Sequence, residues 1–284
     1  MTLLDGKALS SKIKDKIAKE CKKLKKEYDI VPGLAVILVG DDPASHAYVN
    51  MKEKACKEVG FYSITHKMPS NIHQDEIIET IKMINKNPRI DGILVQLPLP
   101  SHIDTTKILE VIDPKKDVDG FHPFNVGRLV TNLDSFAPCT PLGVMELFKE
   151  YNIELQGKDV CVVGASNIVG KPMAALLLNK NATVTITHIY TKDLASHTKK
   201  ADIVIVGAGV PNLIRKDMVK DGAIVIDIGI NRLENGKLVG DVAFEEVAPK
   251  CSYITPVPGG VGPMTIAMLL SNTLKAAKSR IENE

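Results

Sequence analysis

The stretch Asp159-Val160-Cys161-Val162-Val163-Gly164-Ala165-Ser166-Asn167-Ile168-Val169-Gly170 decides the fold of this chain. An apolar run, predicted as a strand, ends in a glycine turn, and Pro172 with the apolar residues 174–178 predicts that a helix follows. This order of strand, bend and helix presents free backbone N–H groups and the positive helix end to a pyrophosphate. The sequence therefore predicts a dinucleotide-binding domain around Gly164.

The composition is typical of a soluble protein with small-molecule ligands. With 284 residues, 44% of them hydrophobic and 25% charged, the chain is long enough for two ordinary domains with buried cores. Its net charge of +2 favours neither a nucleic acid nor a membrane as partner, and we expect neither. We also expect no signal peptide, because the N-terminus lacks a charged segment followed by an apolar one, and no membrane span, because no apolar run reaches the roughly 18 residues that a spanning helix requires.

The cysteines indicate a reducing compartment. Their number is odd, and their positions are scattered without a C-x-x-C spacing: Cys21, Cys56, Cys139, Cys161 and Cys251. This pattern predicts neither a disulfide framework nor a metal site. We therefore expect a cytoplasmic protein without a bound metal.

The predicted elements divide the chain into two α/β domains. Residues 1–139 alternate helices and strands, which predicts a three-layer α/β domain, with residues 113–140 as a functional loop and the passage between domains. Residues 140–263 place five strands around the glycine turn, as in a Rossmann-type doubly wound sheet. The final helix, residues 264–284, follows the last strand, and we expect it to return to the first domain.

Three polar residues, Ser45, Tyr48 and Lys52, are expected on one face of a helix predicted over residues 45–59. A lysine at the mouth of an apolar cleft can lose its proton through desolvation and act as a general base, and a phenol beside it can stack on a flat ligand. The same spacing also fits an exposed surface helix. Short-chain dehydrogenases use a Tyr-x-x-x-Lys pair too, but theirs follows the glycine turn, whereas this pair precedes it.

Three further features are candidates for ligand contacts. Gln96 lies near the end of an apolar strand over residues 92–98, at the edge where α/β sheets bind ligands. Asp117 and Asp119 lie on a loop, where a carboxylate can accept two parallel hydrogen bonds from a ring N–H and an amino group, although a simple Asx turn fits equally well. Residues 256–263 are dense in proline and glycine, which predicts a rigid backbone that a ligand approaches closely.

Together these segments resemble the bifunctional methylenetetrahydrofolate dehydrogenase/cyclohydrolase (FolD) family over essentially the whole chain. The matching segments are residues 48–52, 92–98, 117–120, 138–141, 164–172, 227–231, 240–242 and 256–265. Each segment alone is weak evidence, but their common order leaves little room for chance.

The resemblance implies an enzyme of one-carbon metabolism and purine biosynthesis. Such an enzyme oxidises 5,10-methylenetetrahydrofolate with NADP or NAD and hydrolyses the methenyl product to 10-formyltetrahydrofolate. By this likeness Lys52 is the general base or proton relay, which requires a pKa well below about 10.4, and Gln96 orients it. The implied catalytic residues are Lys52, Tyr48, Gln96 and Asp119, the substrate-binding residues Ser45, Tyr48, Gln96, Asp119, Pro258, Gly259 and Gly260, and the cofactor-binding residues Gly164, Ala165, Ser166, Ile189 and Ile230. The resemblance also implies a homodimer formed through the Rossmann domain.

Two positions differ from the pattern of family members that use NADP. Those members commonly have arginine at the position of Ala165, and serine or arginine at the position of Ile189. Neither alanine nor isoleucine supplies the charge or donors that a 2′-phosphate requires, and no acidic residue ends the second strand to bind a free 2′-hydroxyl. Lys171 or Lys192 can compensate. NADP is thus the family default, and NAD or dual use stays open.

Two other interpretations fit part of the sequence. A two-domain amino-acid or hydroxy-acid dehydrogenase shares the order of domains, but needs neither the Asp119 loop nor the proline–glycine segment. A nucleotide-sensing regulator would use its first domain to bind a partner, and would bind NADH weakly without turnover.

Overall fold

The computed structural model describes residues 1–282. The strands are β1 (Thr2–Leu3), β2 (Gly33–Val39), β3 (Tyr62–Met68), β4 (Gly92–Val95), β5 (Asp159–Val163), β6 (Thr183–Thr187), β7 (Ile203–Val206), β8 (Ile224–Asp227), β9 (Asn231–Arg232), β10 (Leu238–Val239) and β11 (Tyr253–Ile254). The helices are α1 (Gly6–Tyr28), α2 (Pro43–Val59), α3 (Gln74–Asn85), α4 (Thr105–Val111), α5 (Pro123–Val130), α6 (Cys139–Glu150), α7 (Gly170–Leu178), α8 (Leu194–Thr198), α9 (Phe244–Val247) and α10 (Val261–Glu282), with 3₁₀ turns at Lys216–Met218 and Ala248–Lys250.

The chain forms two compact units. The small-sheet unit comprises Lys12–Arg128, Asp134–Ala137 and the chain from Ile266 onward. The large-sheet unit comprises Met1–Ser11, Leu129–Leu133 and Pro138–Thr265. The predicted α/β class with a Rossmann-like second sheet is confirmed.

The small-sheet unit is built on a parallel sheet with the order β3-β2-β4. Every residue of the central strand β2 is buried, as expected for a strand covered on both faces. Isoleucines of α3 and α4, among them Ile77, Ile81 and Ile108, pack against β2 and β4 in one apolar cluster. The sheet thereby holds the carboxyl end of β4 in a fixed position.

The large-sheet unit contains a sheet with the order β1-β11-β8-β7-β5-β6, in which all neighbouring strands are parallel. The strand order reverses beside β5, because β6 lies on one side of it and β7 on the other. In doubly wound sheets, ligands bind in the crevice at such a reversal, outside the carboxyl ends of the strands. The glycine turn directly follows β5 and therefore borders this crevice.

The first eleven residues lie in the large-sheet unit, although the sequence predicted them with residues 12–139. The physical reason is that β1 pairs with β11, where Thr2 is in register with Tyr253. Tyr151 accepts a hydrogen bond from the backbone N–H of Asp5 at 2.8 Å, which fixes the segment further.

The passage predicted as a loop over residues 113–140 contains a helix, α5. A buried carboxylate organises the preceding turn: Asp117 accepts hydrogen bonds from the backbone N–H groups of Phe121 and His122 and from Asn125 Nδ2. Sequence alone did not indicate this helix because its residues are interspersed with proline, asparagine and glycine.

The later part of α10 packs within the small-sheet unit. Asn272 Nδ2 donates to the carbonyl oxygens of Val118 and Ala137 at 2.8 and 3.1 Å, and Arg280 Nη2 donates to the buried Asp91 at 2.9 Å. Burial raises the pKa of Asp91, while the N–H of Gly33 and the charge of Arg280 act in the opposite direction. These contacts explain why the helix that follows the last strand packs in the small-sheet unit.

Candidate functional site

Lys52 and Gln96 meet at the carboxyl end of the small sheet. Lys52 Nζ donates to Gln96 Oε1 at 2.9 Å, and Gln96 Nε2 donates to the carbonyl oxygen of Leu97 at 2.8 Å. Gln96 directly follows β4, and its backbone N–H donates to Ile37 in β2, so the strand fixes where the amide lies. Both side chains are half-buried. The structure therefore brings together two residues that are 44 positions apart.

The two other residues predicted on α2 differ in environment. Tyr48 is 36% exposed and is one helical turn before Lys52. Ser45 is buried, and its Oγ donates to Asp42 Oδ2 at 2.8 Å, so the hydroxyl helps to cap the helix. Its predicted contact with substrate stays a prediction.

The loop that contains Asp119 runs beside the same strand. Asp117 forms a parallel bridge with Ile93 of β4, and the N–H of Ile93 donates to Lys116 at 2.8 Å. Asp119 is half-buried, whereas Asp117 is only 1% exposed and accepts hydrogen bonds from Phe121, His122 and Asn125. The two aspartates thus have different environments, and Asp119 is the more exposed of the two.

The glycine turn of the large-sheet unit fits a dinucleotide. Gly164 has φ +113°, and a Cβ there would lie 2.3 Å from the carbonyl oxygen of Gly207. A Cβ at Gly170 would lie 1.9 Å from the carbonyl oxygen of Gly164, so only glycine allows helix α7 to begin this close to β5. Ser166 Oγ accepts from the N–H of Val169 at 3.1 Å. The helix N-terminus therefore faces the crevice beside β5, as dinucleotide binding requires.

The end of β6 offers an apolar surface where a ribose would be recognised. Ile189 is 91% exposed and Tyr190 is 86% exposed. Ala165 is half-buried in the glycine turn. Lys171 Nζ donates to Asn167 at 2.7 Å, and Lys192 is exposed. Neither Ala165 nor Ile189 can donate a side-chain hydrogen bond to a 2′-phosphate.

The proline–glycine segment, residues 256–263, is shaped by the beginning of the chain. The N–H of Lys7 donates to the carbonyl oxygen of Gly259 at 2.9 Å, and that of Gly260 donates to Pro256 at 2.9 Å. A Cβ at Gly6 would lie 1.8 Å from the carbonyl oxygen of Gly260. Pro258 is exposed, so the segment presents a preformed, ring-stiffened surface.

Two buried aspartates lie behind the carboxyl edge of the large sheet. Asp227 accepts from the N–H groups of Gly229, Asp241 and Val242 at 3.0, 3.0 and 2.9 Å. Burial raises the pKa of Asp227 to about 6, and the nearby Asp241 adds to the increase, against the three N–H donors. In the sequence, the two aspartates stood out only because they lie in segments that match the pattern of the FolD family. The one further signal is a nearby glycine: Gly240 directly precedes Asp241, and Gly229 lies two residues after Asp227.

Among the residues that the structure describes, no cluster of His, Cys, Asp and Glu side chains could hold a metal ion. In the same residues, no helix has the length and apolar content needed to cross a membrane.

Comparisons with known proteins agree with both halves of the chain. Residues 4–119 match the catalytic-domain model of tetrahydrofolate dehydrogenase/cyclohydrolase, and residues 138–281 match the NAD(P)-binding-domain model of the same family. The chain is 77% identical over 280 residues to the bifunctional protein FolD of Sulfurovum sp., with 99% of this chain and 100% of that protein covered.

Two solved structures extend the comparison. The bifunctional FolD enzyme of Campylobacter jejuni is 60% identical with a TM-score of 0.97, and 99% of each chain is covered. The Trypanosoma brucei methylenetetrahydrofolate dehydrogenase-cyclohydrolase, solved with NADP and an inhibitor, is 39% identical with a TM-score of 0.96, with 99% of this chain and 98% of that chain covered.

Replacing the buried acid, Asp227→Asn, should change how stability depends on pH. Because the pKa of Asp227 is raised in the fold, its contribution to the unfolding free energy is present below its ordinary pKa of 3.8 and is lost as the pH rises through about 6. The unfolding free energy of the wild type minus that of the variant should fall by about 3 kcal/mol from about pH 4 to about pH 7. Urea unfolding at a series of pH values measures this difference. The exposed Asp217→Asn, measured in the same way, is the matched control for removal of a carboxylate. A flat difference for Asp227→Asn would contradict the prediction.

Proposed function

Because the chain belongs to the tetrahydrofolate dehydrogenase/cyclohydrolase family, we propose that it oxidises 5,10-methylenetetrahydrofolate and then hydrolyses the methenyl product to 10-formyltetrahydrofolate. The observation that carries this proposal is the Lys52–Gln96 pair at the end of β4, in one unit, together with the glycine turn beside β5 in the other. A sensor that only binds a nucleotide needs no such lysine.

Lys52 acts as the base in the hydrolysis. Water adds its oxygen to the methenyl carbon as Lys52 accepts one proton from it, which gives a neutral hydroxyl adduct. The bond from that carbon to N5 then breaks while N5 takes up a proton and the hydroxyl loses its own, so the formyl C=O forms on N10 and one proton is released overall. A neutral amide is a suitable partner for such a lysine. Gln96 Oε1 accepts from Nζ at 2.9 Å and so fixes the position of the lysine nitrogen.

Asp119 and Tyr48 bind the folate in this proposal. Asp119 accepts two parallel hydrogen bonds from the pterin ring N–H and amino group, which its half-buried position on the loop beside β4 supports. Tyr48 presents its ring next to Lys52 and aligns the flat ligand. Ser45, Pro258, Gly259 and Gly260 are proposed to complete the substrate contacts.

The cofactor is a nicotinamide dinucleotide, which supplies the acceptor for the hydride that leaves the methylene carbon. We propose that the pyrophosphate binds at the start of α7, in contact with Gly164, Ala165 and Ser166. Ile189 is proposed to contact the adenosine ribose, and Ile230 is proposed as a further contact of the bound dinucleotide. We propose NADP as the cofactor, with weak discrimination against NAD, since Ala165 and the exposed Ile189 offer no charge to the 2′-phosphate.

We further propose that two copies of the chain associate through β6. This strand is last in the sheet order, so its outer edge can pair with a second copy. Ile186 is 40% exposed and Leu178 is 57% exposed, which supplies apolar area beside that edge. A cytoplasmic location is also proposed, supported by five buried cysteines that form no disulfide.

Removing the base, Lys52→Met, should abolish hydrolysis. Because a positioned general base contributes about 10²- to 10⁴-fold, kcat/KM for methenyltetrahydrofolate should fall at least about 100-fold. The measurement is the decay of methenyl absorbance. Lys57→Met, an exposed position on the same helix, is the control and should hydrolyse normally. Full hydrolysis by Lys52→Met would eliminate Lys52 as the base.

Introducing a charge at Ala165 should increase the preference for NADP. A charge-assisted hydrogen bond from Ala165→Arg to the 2′-phosphate is worth about 1.5–3 kcal/mol, so the ratio of kcat/KM for NADP to that for NAD should rise about tenfold or more. Initial rates of methenyl formation with each cofactor give the ratio. Ala165→Gln adds length without charge and should change it little. A wild type that already prefers NADP by about 100-fold or more would contradict this assignment.

A charge on the outer strand should disrupt the dimer. In Ile186→Lys, association would bury an unpaired ammonium group, which is strongly unfavourable. Sedimentation velocity should show a dimer for the wild type and a monomer for the variant, and Lys199→Met at an exposed position is the control. A wild-type monomer, or a variant that remains dimeric, would exclude the β6 edge.

A further inference from the structure

The carboxylate of Asp241 is completely buried, yet three donors converge on it. Its Oδ2 accepts from the backbone N–H groups of Ala208 and Gly209 at 2.6 and 2.8 Å, and its Oδ1 accepts from Asn231 Nδ2 at 2.8 Å. Ala208 and Gly209 lie in the loop after β7, and Asn231 begins β9, where it ends the loop that follows β8. One side chain thus fixes both loops at the carboxyl edge of the sheet.

The first of these loops contacts the dinucleotide turn. A Cβ at Gly164 would lie 2.3 Å from the carbonyl oxygen of Gly207 and 3.5 Å from the nitrogen of Ala208. Any shift of residues 207–209 would therefore press on, or withdraw from, the turn that is proposed to bind pyrophosphate. Ala208 and Gly209 are exposed apart from their amides, so packing alone does not fix them.

The second loop presents Ile230, which is 45% exposed and precedes Asn231. The Ile230 side chain lies 3.3 Å from where a Cβ at Gly262 would be, so it also borders the proline–glycine segment. The hydrogen bond from Asn231 to Asp241 holds the backbone on the carboxyl side of Ile230. Asp241 therefore restrains the residue that directly follows Ile230.

Asp241 is itself fixed by its neighbours. Its backbone N–H donates to Asp227 Oδ1 at 3.0 Å, and a Cβ at Gly229 would lie 2.2 Å from Asp241 Oδ1. The carboxylate is therefore fully enclosed, with all three of its donors supplied by the protein. The positions of Ala208, Gly209 and Asn231 around it are therefore fixed together.

We propose that Asp241 is a positioning residue for bound NAD(P), acting through residues 207–209 and through Asn231 and Ile230. The proposal rests on the proposed function. A carboxylate suits this role because it only accepts hydrogen bonds, and all three groups that face it are donors. Loss of the acceptor would leave two partly buried amides without their protein partner and would release both loops.

The experiment compares Asp241→Ala and Asp241→Asn with the wild type and with Asp202→Ala. Asp202 caps the opposite, amino-terminal edge of the same sheet, where its Oδ2 accepts from the N–H of Asp159. Direct titration of each protein with NADPH, followed by the fluorescence of the dihydronicotinamide, gives a Kd without any turnover. Hydrolysis of supplied methenyltetrahydrofolate in the absence of NADP(H) reports on the folate site, and thermal unfolding reports on stability.

We expect Asp241→Ala to raise the Kd for NADPH about tenfold or more, since removing a charged acceptor from buried donors costs about 1.5–3 kcal/mol. Hydrolysis without cofactor should stay within about twofold of the wild type, because this substitution leaves Lys52 and Gln96 untouched. Asp241→Asn should have a smaller effect. The amide oxygen of the new asparagine can still accept from both backbone amides, and Asn231 can rotate its amide so that its oxygen accepts from the new NH₂ group. Asp202→Ala should leave the Kd for NADPH unchanged.

Two results would overturn the inference. One is an unchanged Kd for NADPH in Asp241→Ala. The other is a loss of NADPH binding and hydrolysis in parallel, by Asp241→Asn as well as by Asp241→Ala, which would show a purely structural role. A wild type that binds NADPH but does not oxidise methylenetetrahydrofolate would refute the proposed function alone, because the NADPH titrations would still test Asp241.

Discussion

The structure depends on backbone segments that meet at the carboxyl edge of the large sheet with no space for side chains between them. A Cβ at Gly164 would lie 2.3 Å from the carbonyl oxygen of Gly207, and one at Gly240 would lie 1.8 Å from Asp227 Oδ2. Segments this close exclude water from their own amides, which then require acceptors from the protein. The carboxylates of Asp227 and Asp241 are those acceptors, so close backbone approach and buried acid form a single constraint.

Local patterns were sufficient to predict most of the fold. The alternation of helices and strands expected before residue 139 is found, and in α3 isoleucines at helical spacing give the helix one buried face. The glycine turn after β5 predicted the Rossmann-like sheet because few other structures need those glycines there. In contrast, nothing local indicates β1, which is a strand only because Tyr253–Ile254 lies beside it. A pairing between segments that are distant in the sequence cannot be predicted from the residues of either segment alone.

Site residues could be predicted from the sequence where a reactive residue type also lies at a favourable place in a helix or strand. Lys52 and Gln96 were each suggested by residue type and by their place in an element, and the structure adds the hydrogen bond between them. Asp241 could not be singled out, because an aspartate next to glycine is typical of exposed turns. Its burial results from three converging loops, and such convergence is a property of the folded chain. The hydroxyl of Ser45 illustrates the reverse case, since helix capping already occupies it.

The discontinuity of both units has a consequence for synthesis on the ribosome. The first strand, β1, pairs with β11 near the other end of the chain, and the small-sheet unit includes residues from Ile266 onward. The large-sheet unit lacks β11 until Tyr253–Ile254 has been translated, and the small-sheet unit lacks the later part of α10 until residues 266–282 have been translated. Neither unit can therefore complete its native contacts before most of the other has been synthesised, whereas domains that are continuous in sequence can fold one after the other. The strand β2, buried on both faces in the native protein, is translated long before the last segment of its own unit.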